Sequence, residues 1–192
     1  LASLTLAGCS FKTLALRSTV DLLDQGAGAY YEESDTQLGR ESLGAQLKLL
    51  EALLRTEPDN SRLLRLAAQG FSGYSFLFLE DTQPARAKVF YRRSRDYALR
   101  DLGRTPNFAK LAEMDLDSLE AGLKLAGKAD APALFWAAFG WSGLINLSRD
   151  SSEAVADIPK VVLLMKRSHE LNPEYFFAGS DLFFGVYYAS RP

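Results

Sequence analysis

The sequence has very few of the residues that build metal sites or disulfides. It contains one cysteine and one histidine in 192 residues. A lone cysteine cannot form an internal disulfide, and one Cys with one His cannot supply the four ligands of an ordinary structural zinc site. We therefore expect no metal and no cofactor, and a fold that is held together by packing alone.

An excess of charge of either sign is also missing. The chain has 22 Lys and Arg against 24 Asp and Glu, which gives a net charge of −2. This balance provides no overall electric field that would draw the protein to nucleic acid or to an anionic membrane. Nucleic acid is therefore not an expected partner.

Signals for β-strands are nearly absent as well. Alternating runs of β-branched residues do not occur, and apolar residues recur at helical spacing, for example at Leu47, Leu50 and Leu54. No glycine-rich loop follows a strand, which excludes the usual phosphate-binding motifs. A length of 192 residues fits one domain. The sequence predicts a single all-α domain.

Turn-forming residues around five of the prolines divide this domain into helices. These prolines are Pro58, Pro84, Pro106, Pro132 and Pro173. We expect helices near residues 11–34, 41–56, 61–80, 84–102, 107–127, 131–149, 155–171 and 174–190.

The first nine residues, LASLTLAGC, are a short apolar run that ends in the only cysteine, Cys9. The last four resemble a lipobox, the site at which bacterial lipoproteins are cut before a lipid-modified cysteine. A complete signal peptide begins with a positively charged region, and none is present before this run. We therefore expect residues 1–9 to be the final part of a signal peptide. The alternative is that residues 1–7 begin a buried helix and that Cys9 is a small core residue.

A lipobox implies a location for the protein. Lipid on Cys9 would be its only attachment to the membrane and would hold it firmly. Ser10, rather than Asp, follows the cysteine, which in proteobacterial lipoproteins favours the inner leaflet of the outer membrane. The resemblance therefore implies a lipoprotein that faces the periplasm.

An internal repeat occurs at an offset of 70 residues. Residues 66–73 and 136–143 share Ala, Ala, Gly, Ser and Gly, and residues 93–96 parallel residues 167–170. Small residues three and four apart give a flat stripe that lets a neighbouring helix approach closely. Because the two correspondences lie in successive predicted helices, the repeated unit is a pair of helices.

The repeated segments resemble tetratricopeptide helix pairs. Trp136, Phe139 and Gly140 fit the pattern of a first helix, and Pro173 follows the last turn of a second helix. We expect residues 10–192 to form tetratricopeptide-like helix-hairpin repeats that build a short solenoid.

In this register five residues would face the concave surface, where solenoids bind their partners. They are Phe71 and Tyr74 in one repeat and Trp141, Leu144 and Ile145 in the other. We consider two interpretations of them. They are either exposed and bind a ligand or partner, or they belong to the core.

The predicted helix at 84–102 is unusually basic. Lys88, Arg92 and Arg95 are four and three residues apart and form one stripe. Its default interpretation is a solvated face. The functional alternative is docking onto an acidic partner or onto anionic lipid headgroups.

Catalytic patterns are not visible. The sole histidine, His169, lies in a helix-closing segment and no nucleophilic triad can be assembled from the sequence. Glu113, Asp117 and Glu120 share a helix face by spacing, and a solvated face is favoured over a metal or acid–base cluster. We expect no enzyme. A lipid-anchored hydrolase, the enzymatic alternative, would need a cluster of titratable groups.

From about Ala131 to its end the chain resembles the T component of tripartite ATP-independent periplasmic (TRAP) transporters. The resemblance rests on Phe139-Gly140, on IPKV at 158–161, on SHELNPEYF at 168–176 and on FGVYYASRP at 184–192. It implies a periplasmic accessory protein that binds the solute-binding P subunit, can form a homotrimer and can accept a small hydrophobic ligand. The alternative is a scaffold lipoprotein of outer-membrane or pilus assembly that binds only proteins.

Overall fold

The computed structural model describes residues 5–189, and the side chains of residues 14–189. The elements in this part of the chain are helices, so the prediction of an all-α fold is confirmed. They are α1 (Thr5–Gln25), α2 (Gly28–Tyr31), α3 (Thr36–Thr56), α4 (Ser61–Phe78), α5 (Pro84–Leu102), α6 (Leu116–Leu123), α7 (Ala131–Asn146), α8 (Ser152–Ala156), α9 (Ile158–Leu171) and α10 (Tyr175–Ala189). The side chain of Cys9, the predicted lipid-attachment residue, lies outside the described ones.

Local capping explains several helix boundaries that differ from the predicted ones. The helix expected at 41–56 begins at Thr36, because the Asp35 carboxylate accepts hydrogen bonds from the backbone N–H groups of Gln37 and Leu38. Likewise, the helix expected at 155–171 is divided into α8 and α9. The Ser151 hydroxyl caps the first of them, and Pro159 stands in the first turn of the second.

The predicted helix at 107–127 is wrong over its first half. Residues Pro106–Phe108 and Leu111–Glu113 form two 3-10 turns, and α6 begins only after Asp115, whose carboxylate caps it by accepting from the backbone N–H of Ser118. Phe108 and Leu111 are buried. Their spacing of three residues suits a 3-10 turn as well as an α-helix, so the apolar pattern alone could not distinguish the two.

The order in which the helices pack fits two stacked helix pairs. α4 contacts α5, α5 contacts α7, and α7 contacts α9, while α4 also contacts α7 directly. α3 packs before this set, on α4, and α10 packs after it, on α9 and α7. This arrangement is consistent with the short solenoid expected from the repeat.

Small residues of the repeated segments lie where helices approach most closely. A methyl group on Gly140 would stand 2.9 Å from the backbone nitrogen of Arg95, and one on Gly143 would stand 2.6 Å from the ring of Tyr91. Both contacts join α7 to α5. The expectation that these small residues allow a close approach is therefore confirmed at both positions.

Buried serines connect the two helices of each pair. The Ser94 hydroxyl of α5 donates to the backbone oxygen of Ala68 in α4 at 2.7 Å. The Ser168 hydroxyl of α9 donates to the backbone oxygen of Ala131 in α7 at 2.9 Å. These two serines occupy equivalent places in the parallel segments 93–96 and 167–170. The second helix of each pair therefore binds the first through an equivalent serine, although the accepting residues are at different positions of the repeat.

Candidate functional site

Phe71 and Tyr74, expected on a concave binding surface, are both buried. The ring of Phe71 is covered by α5, where Phe90 lies 5.2 Å away between ring centroids and the guanidinium of Arg93 lies 4.4 Å above the ring. Tyr74 packs between Phe78 and Phe90. For this repeat the exposed interpretation is wrong and the core interpretation is confirmed.

The second repeat gives the same result. Trp141 and Ile145 are buried and Leu144 is partly buried. The guanidinium of Arg95 lies 5.3 Å from the centre of the Trp141 ring and covers it. Of the two interpretations, these side chains fit the core one, because α5 packs on this stripe through Arg93 above Phe71 and Arg95 above Trp141.

Exposed aromatic side chains lie on a different surface, which α2, α4, α7 and α10 share. Phe76 is 60% exposed, Tyr31 is 50% exposed and Phe177 is 74% exposed. The ring of Phe76 contacts that of Phe139, with centroids 6.2 Å apart. We call this surface the aromatic face. It consists of Tyr31, Phe76, Phe135, Phe139, Phe176 and Phe177.

Ring contacts connect the aromatic face from one end to the other. Phe139 lies 6.0 Å from Phe135 between centroids, and Phe135 lies 5.7 Å from Phe176. Tyr31 contacts Phe176 at 5.9 Å and Phe177 at 5.4 Å, both edge to face. Phe135 is buried and Phe139 and Phe176 are partly buried, so they support the exposed rings of Tyr31, Phe76 and Phe177 from beneath. Clustered exposed apolar side chains mark binding sites on soluble proteins.

Polar groups border the aromatic face at one end. The indole N–H of Trp136 donates to the hydroxyl of Tyr175 at 2.8 Å, and the side-chain amide of Gln69 donates to the hydroxyl of Tyr31. Burial raises the pKa of Tyr175 to about 12 and also raises the pKa of Tyr31. Both phenols therefore stay neutral at ordinary pH and can donate a hydrogen bond.

The first turn of α10 is left-handed. Phe176, Phe177 and Ala178 have φ angles of 50°, 58° and 55°. For residues with a side chain this conformation costs about 1–2 kcal/mol per residue relative to the right-handed helix. It directs the Phe176 ring onto Trp136, with centroids 4.6 Å apart. Gly179 follows, and a methyl group there would stand 2.8 Å from the ring of Phe135.

The basic stripe lies along α5 as its spacing predicted, but its three members differ in their contacts. Arg92 is exposed and Lys88 is partly exposed. Arg95 is held by Asp96, at 2.8 Å between Nη2 and Oδ1, and by the ring of Trp141. Arg92 and Lys88 are therefore the members that can reach a partner.

The family follows from a comparison with known protein families. A model of the TRAP transporter T-component family matches residues 32–192. This chain belongs to that family. The matched region includes α3 to α10 and therefore every member of the aromatic face except Tyr31, which directly precedes it. None of the curated proteins matches the chain.

The histidine of this T component does not form a catalytic triad. His169 Nδ1 lies 2.9 Å from Ser180 Oγ and 3.4 Å from Asp181 Oδ1. A relay requires the serine and the carboxylate on opposite ring nitrogens, whereas here both approach the same one. The contact instead joins the end of α9 to α10.

The carboxylates considered for a metal or acid–base site are not assembled into one. Glu113 belongs to a 3-10 turn, while Asp117 and Glu120 are exposed on α6, so the three do not share a helix face. Over the residues that the structure describes, no group of three His, Cys, Asp or Glu side chains could hold a metal ion.

None of the helices described for this T component combines the length and the hydropathy that a membrane span requires.

Sequence reasoning missed the aromatic face, although the repeat contained a signal for it. The offset of 70 that relates Phe71 to Trp141 also relates Gln69 to Phe139. In the structure Gln69 and Phe139 both lie at this face, whereas Phe71 and Trp141 lie beneath α5. The stripe of residues that lies at the aromatic face therefore begins two residues earlier in each repeat than the stripe that contains Phe71 and Trp141.

Proposed function

We propose that this T component is a periplasmic accessory protein that binds the solute-binding P subunit of its TRAP transporter and holds a small hydrophobic ligand on the aromatic face. Membership of the family supports the role in a TRAP system. The observation that carries the ligand proposal is a connected set of ring contacts from four helices, in which Tyr31, Phe76 and Phe177 are at least half exposed and the buried Phe135 lies beneath them. A transport accessory, and not an enzyme, is the role that we assign.

The chemistry of the aromatic face favours an apolar ligand with one polar end. Rings provide the apolar contact area, and the neutral hydroxyls of Tyr31 and Tyr175 stand beside them as hydrogen-bond donors. Arg65 and Asp24 lie close enough to act on the Tyr175 hydroxyl at the border of the face. Apolar surfaces with a few polar groups bind small molecules through area and orient them through those groups.

A fluorescent apolar probe tests the ligand proposal. Nile red, an uncharged apolar dye, should become fluorescent on the protein, and Phe76→Ser or Phe177→Ser should reduce its affinity several-fold. Leu125→Ser is the matched control, because Leu125 is 65% exposed and lies outside the face. Equal loss in all three variants, or no loss in the two phenylalanine variants, would contradict the ligand site.

Docking of the P subunit is assigned to the basic stripe on α5. Arg93, Arg95 and Arg100 of this helix each pair with a carboxylate, whereas no ion pair of Lys88 or Arg92 is found among the described residues, so these two are available to an acidic surface. Rim charges of this kind mainly raise the association rate and make it depend on salt.

Charge reversal tests this contact. Lys88→Glu and Arg92→Glu should each slow association with the P subunit at low salt, and the difference from the unmodified protein should shrink at high salt. Arg55→Glu is the control, because Arg55 is exposed on α3, outside the stripe. If Arg55→Glu has the same effect as Arg92→Glu, the contact is not local to the stripe.

We further propose that Cys9 carries lipid and anchors the protein at the inner leaflet of the outer membrane. The lipobox-like residues 6–9 and Ser10 support this location. In cells, Cys9→Ala should abolish incorporation of labelled fatty acid and release the protein from the membrane fraction. Fatty-acid incorporation that persists in Cys9→Ala would refute the anchor.

A homotrimer is part of the same proposal, since the family resemblance suggests it. Light scattering of the purified protein should give the mass of three chains. A scaffold lipoprotein of outer-membrane assembly, the alternative, would share the fold but would form no complex with a P subunit.

A further inference from the structure

The left-handed turn at the start of α10 is unusual for its composition. In the described residues, Phe176, Phe177 and Ala178 are the only non-glycine positions with positive φ, and no glycine there has a positive φ. Left-handed conformations normally fall on single glycine or asparagine residues. Three consecutive residues with side chains hold this conformation only if surrounding contacts compensate for it.

The local sequence favours a different conformation of the same residues. Asn172 and Pro173 are typical of the start of a helix, and the sequence predicts a right-handed helix from residue 174 onward. Local preference and tertiary packing therefore disagree over residues 176–178. Such a disagreement narrows the free-energy gap between the two conformations of the segment.

Contacts with the aromatic face stabilise the left-handed form. Phe176 packs on Trp136 and Phe135, and Tyr31 places its ring against both Phe176 and Phe177. The absence of a side chain at Gly179 is also required, since a methyl group there would collide with Phe135. These contacts disappear if the turn becomes right-handed, because the directions of both phenylalanine side chains change.

The rest of α10 contributes few fully buried side chains to the core. Ser180 is its one buried residue among those described, Phe183 and Phe184 are partly buried against the core, and Val186 is exposed. Ser180 also makes the hydrogen-bonding contact with His169 of α9, at 2.9 Å. Elements with few fully buried side chains open at a lower free energy than the core does.

We propose that the turn Phe176–Phe177–Ala178 is a two-state gate of the aromatic face. In the closed state, which this structure shows, Phe176 covers Trp136 and Tyr31 holds the turn in place. In the open state the turn is right-handed, α10 moves away from α7, and Phe135 and Trp136 beneath Phe176 are uncovered. The opening is a property of the protein alone, and only its consequence for a bound ligand rests on the proposed function.

Substitutions at two adjacent positions should move the gate in opposite directions. Ala178→Gly relieves the left-handed residue and weakens the competing right-handed helix, so it should favour the closed state. Gly179→Ala places a methyl group against Phe135, so it should favour the open state. Tyr31→Ala should also open the gate because it removes the ring that holds Phe176 and Phe177.

Hydrogen exchange of the unliganded full chain measures the opening. A detached helix of this length is marginal in water, so its amides exchange when the gate is open. Relative to a reference peptide in α7, exchange in residues 180–184 should slow about tenfold in Ala178→Gly. It should be faster than in the unmodified protein in Gly179→Ala and in Tyr31→Ala.

Matched controls separate the gate from general effects on stability. Gly185→Ala changes the same helix at a position where a methyl group meets nothing within 4 Å, and it should not speed exchange. Tyr30→Ala removes the tyrosine next to Tyr31. Ala45→Gly is the same substitution as Ala178→Gly, at an exposed position of the right-handed helix α3. Neither should alter the exchange of α10 relative to α7.

The outcomes are decisive in both directions. Slower exchange in Ala178→Gly together with faster exchange in Gly179→Ala supports the gate. Exchange in Ala178→Gly that equals or exceeds that of the unmodified protein overturns it, as does a Gly179→Ala variant that behaves like Gly185→Ala. No ligand is used, so loss of probe binding would refute the ligand site and leave this result unaffected.

Discussion

Two glycines at equivalent positions of the repeat have different surroundings. Gly73 and Gly143 are equivalent at the offset of 70 residues. A methyl group on Gly143 would lie 2.6 Å from the Tyr91 ring, whereas one on Gly73 would meet nothing within 4 Å. The Tyr91 ring cannot easily move, because it is buried and its hydroxyl donates to the Glu80 carboxylate at 2.6 Å.

We therefore predict opposite effects of the same substitution at these two positions. Gly143→Ala should lower the free energy of unfolding by about 1–3 kcal/mol, as overpacking of a core does. Gly73→Ala should raise it by about 0.5–1 kcal/mol, because alanine replaces glycine inside a helix without a clash. Urea denaturation measures both. A Gly143→Ala protein as stable as Gly73→Ala would show that α5 and α7 are not in such close contact.

Buried phenols make stability depend on alkaline pH. Burial raises the pKa of Tyr175 and of Tyr97 from 10 to about 12, with a contribution from the hydrogen bond to Glu51 for Tyr97. A pKa that is higher in the folded state means that the unfolded chain loses its proton first. Stability is therefore complete below pH 10 and decreases as the pH rises from 10 towards 12.

The corresponding prediction concerns Tyr175→Phe, which keeps the ring and removes the titrating group. Its free energy of unfolding should fall less between pH 10 and pH 12 than that of the unmodified protein, when both are measured by urea denaturation. Parallel pH profiles for the two proteins would contradict the buried environment of this phenol.

Among the helices, those with strong local boundary signals could be predicted closely. The expected helix at 84–102 coincides with α5 (Pro84–Leu102), and the one at 61–80 differs from α4 (Ser61–Phe78) only at its end. Pro84 and the Asn60 cap determine where these helices begin. In contrast, the left-handed start of α10 could not be predicted, since it depends on contacts with Phe135 and Trp136 that are distant in sequence.

The contact between helices α4 and α5 leads to a prediction about the free energy of unfolding. The buried Ser94 hydroxyl donates to the Ala68 backbone oxygen and lies 2.6 Å from the hydroxyl of Ser72. Ser94→Ala leaves the Ala68 oxygen and the Ser72 hydroxyl without this hydrogen-bond partner, so it should reduce the free energy of unfolding by about 1–3 kcal/mol. Ser42→Ala, which removes a more exposed hydroxyl that bonds only within α3, should change it little. Equal effects would mean that Ser94 does not join the two helices.

At the scale of the whole molecule, the repeat predicted the order of the helix pairs but not which side of each helix is covered by its neighbours. Its small residues indicated that helices approach closely, and its offset identified equivalent positions. Which face of α4 and α7 remains open depends on where α5 and α10 pack, and the small residues of the repeat do not specify that. For this reason the repeat alone left two interpretations of Phe71 and Trp141, and the structure places them in the core while Phe76 is exposed.

The aromatic face is therefore a product of the assembled fold. Tyr31, Phe76 and Phe177 come from helices far apart in sequence and are each at least half exposed. Together with the family match over residues 32–192, this surface supports a binding role within a TRAP system.

The most direct test of that role is size-exclusion chromatography with light scattering of the purified protein mixed with the P subunit of the TRAP transporter from the same cell. The account predicts a stoichiometric complex whose mass includes both proteins, and Arg92→Glu should weaken it more than Arg55→Glu. Separate elution of two folded proteins at every concentration tested would contradict the accessory role and favour a scaffold lipoprotein instead.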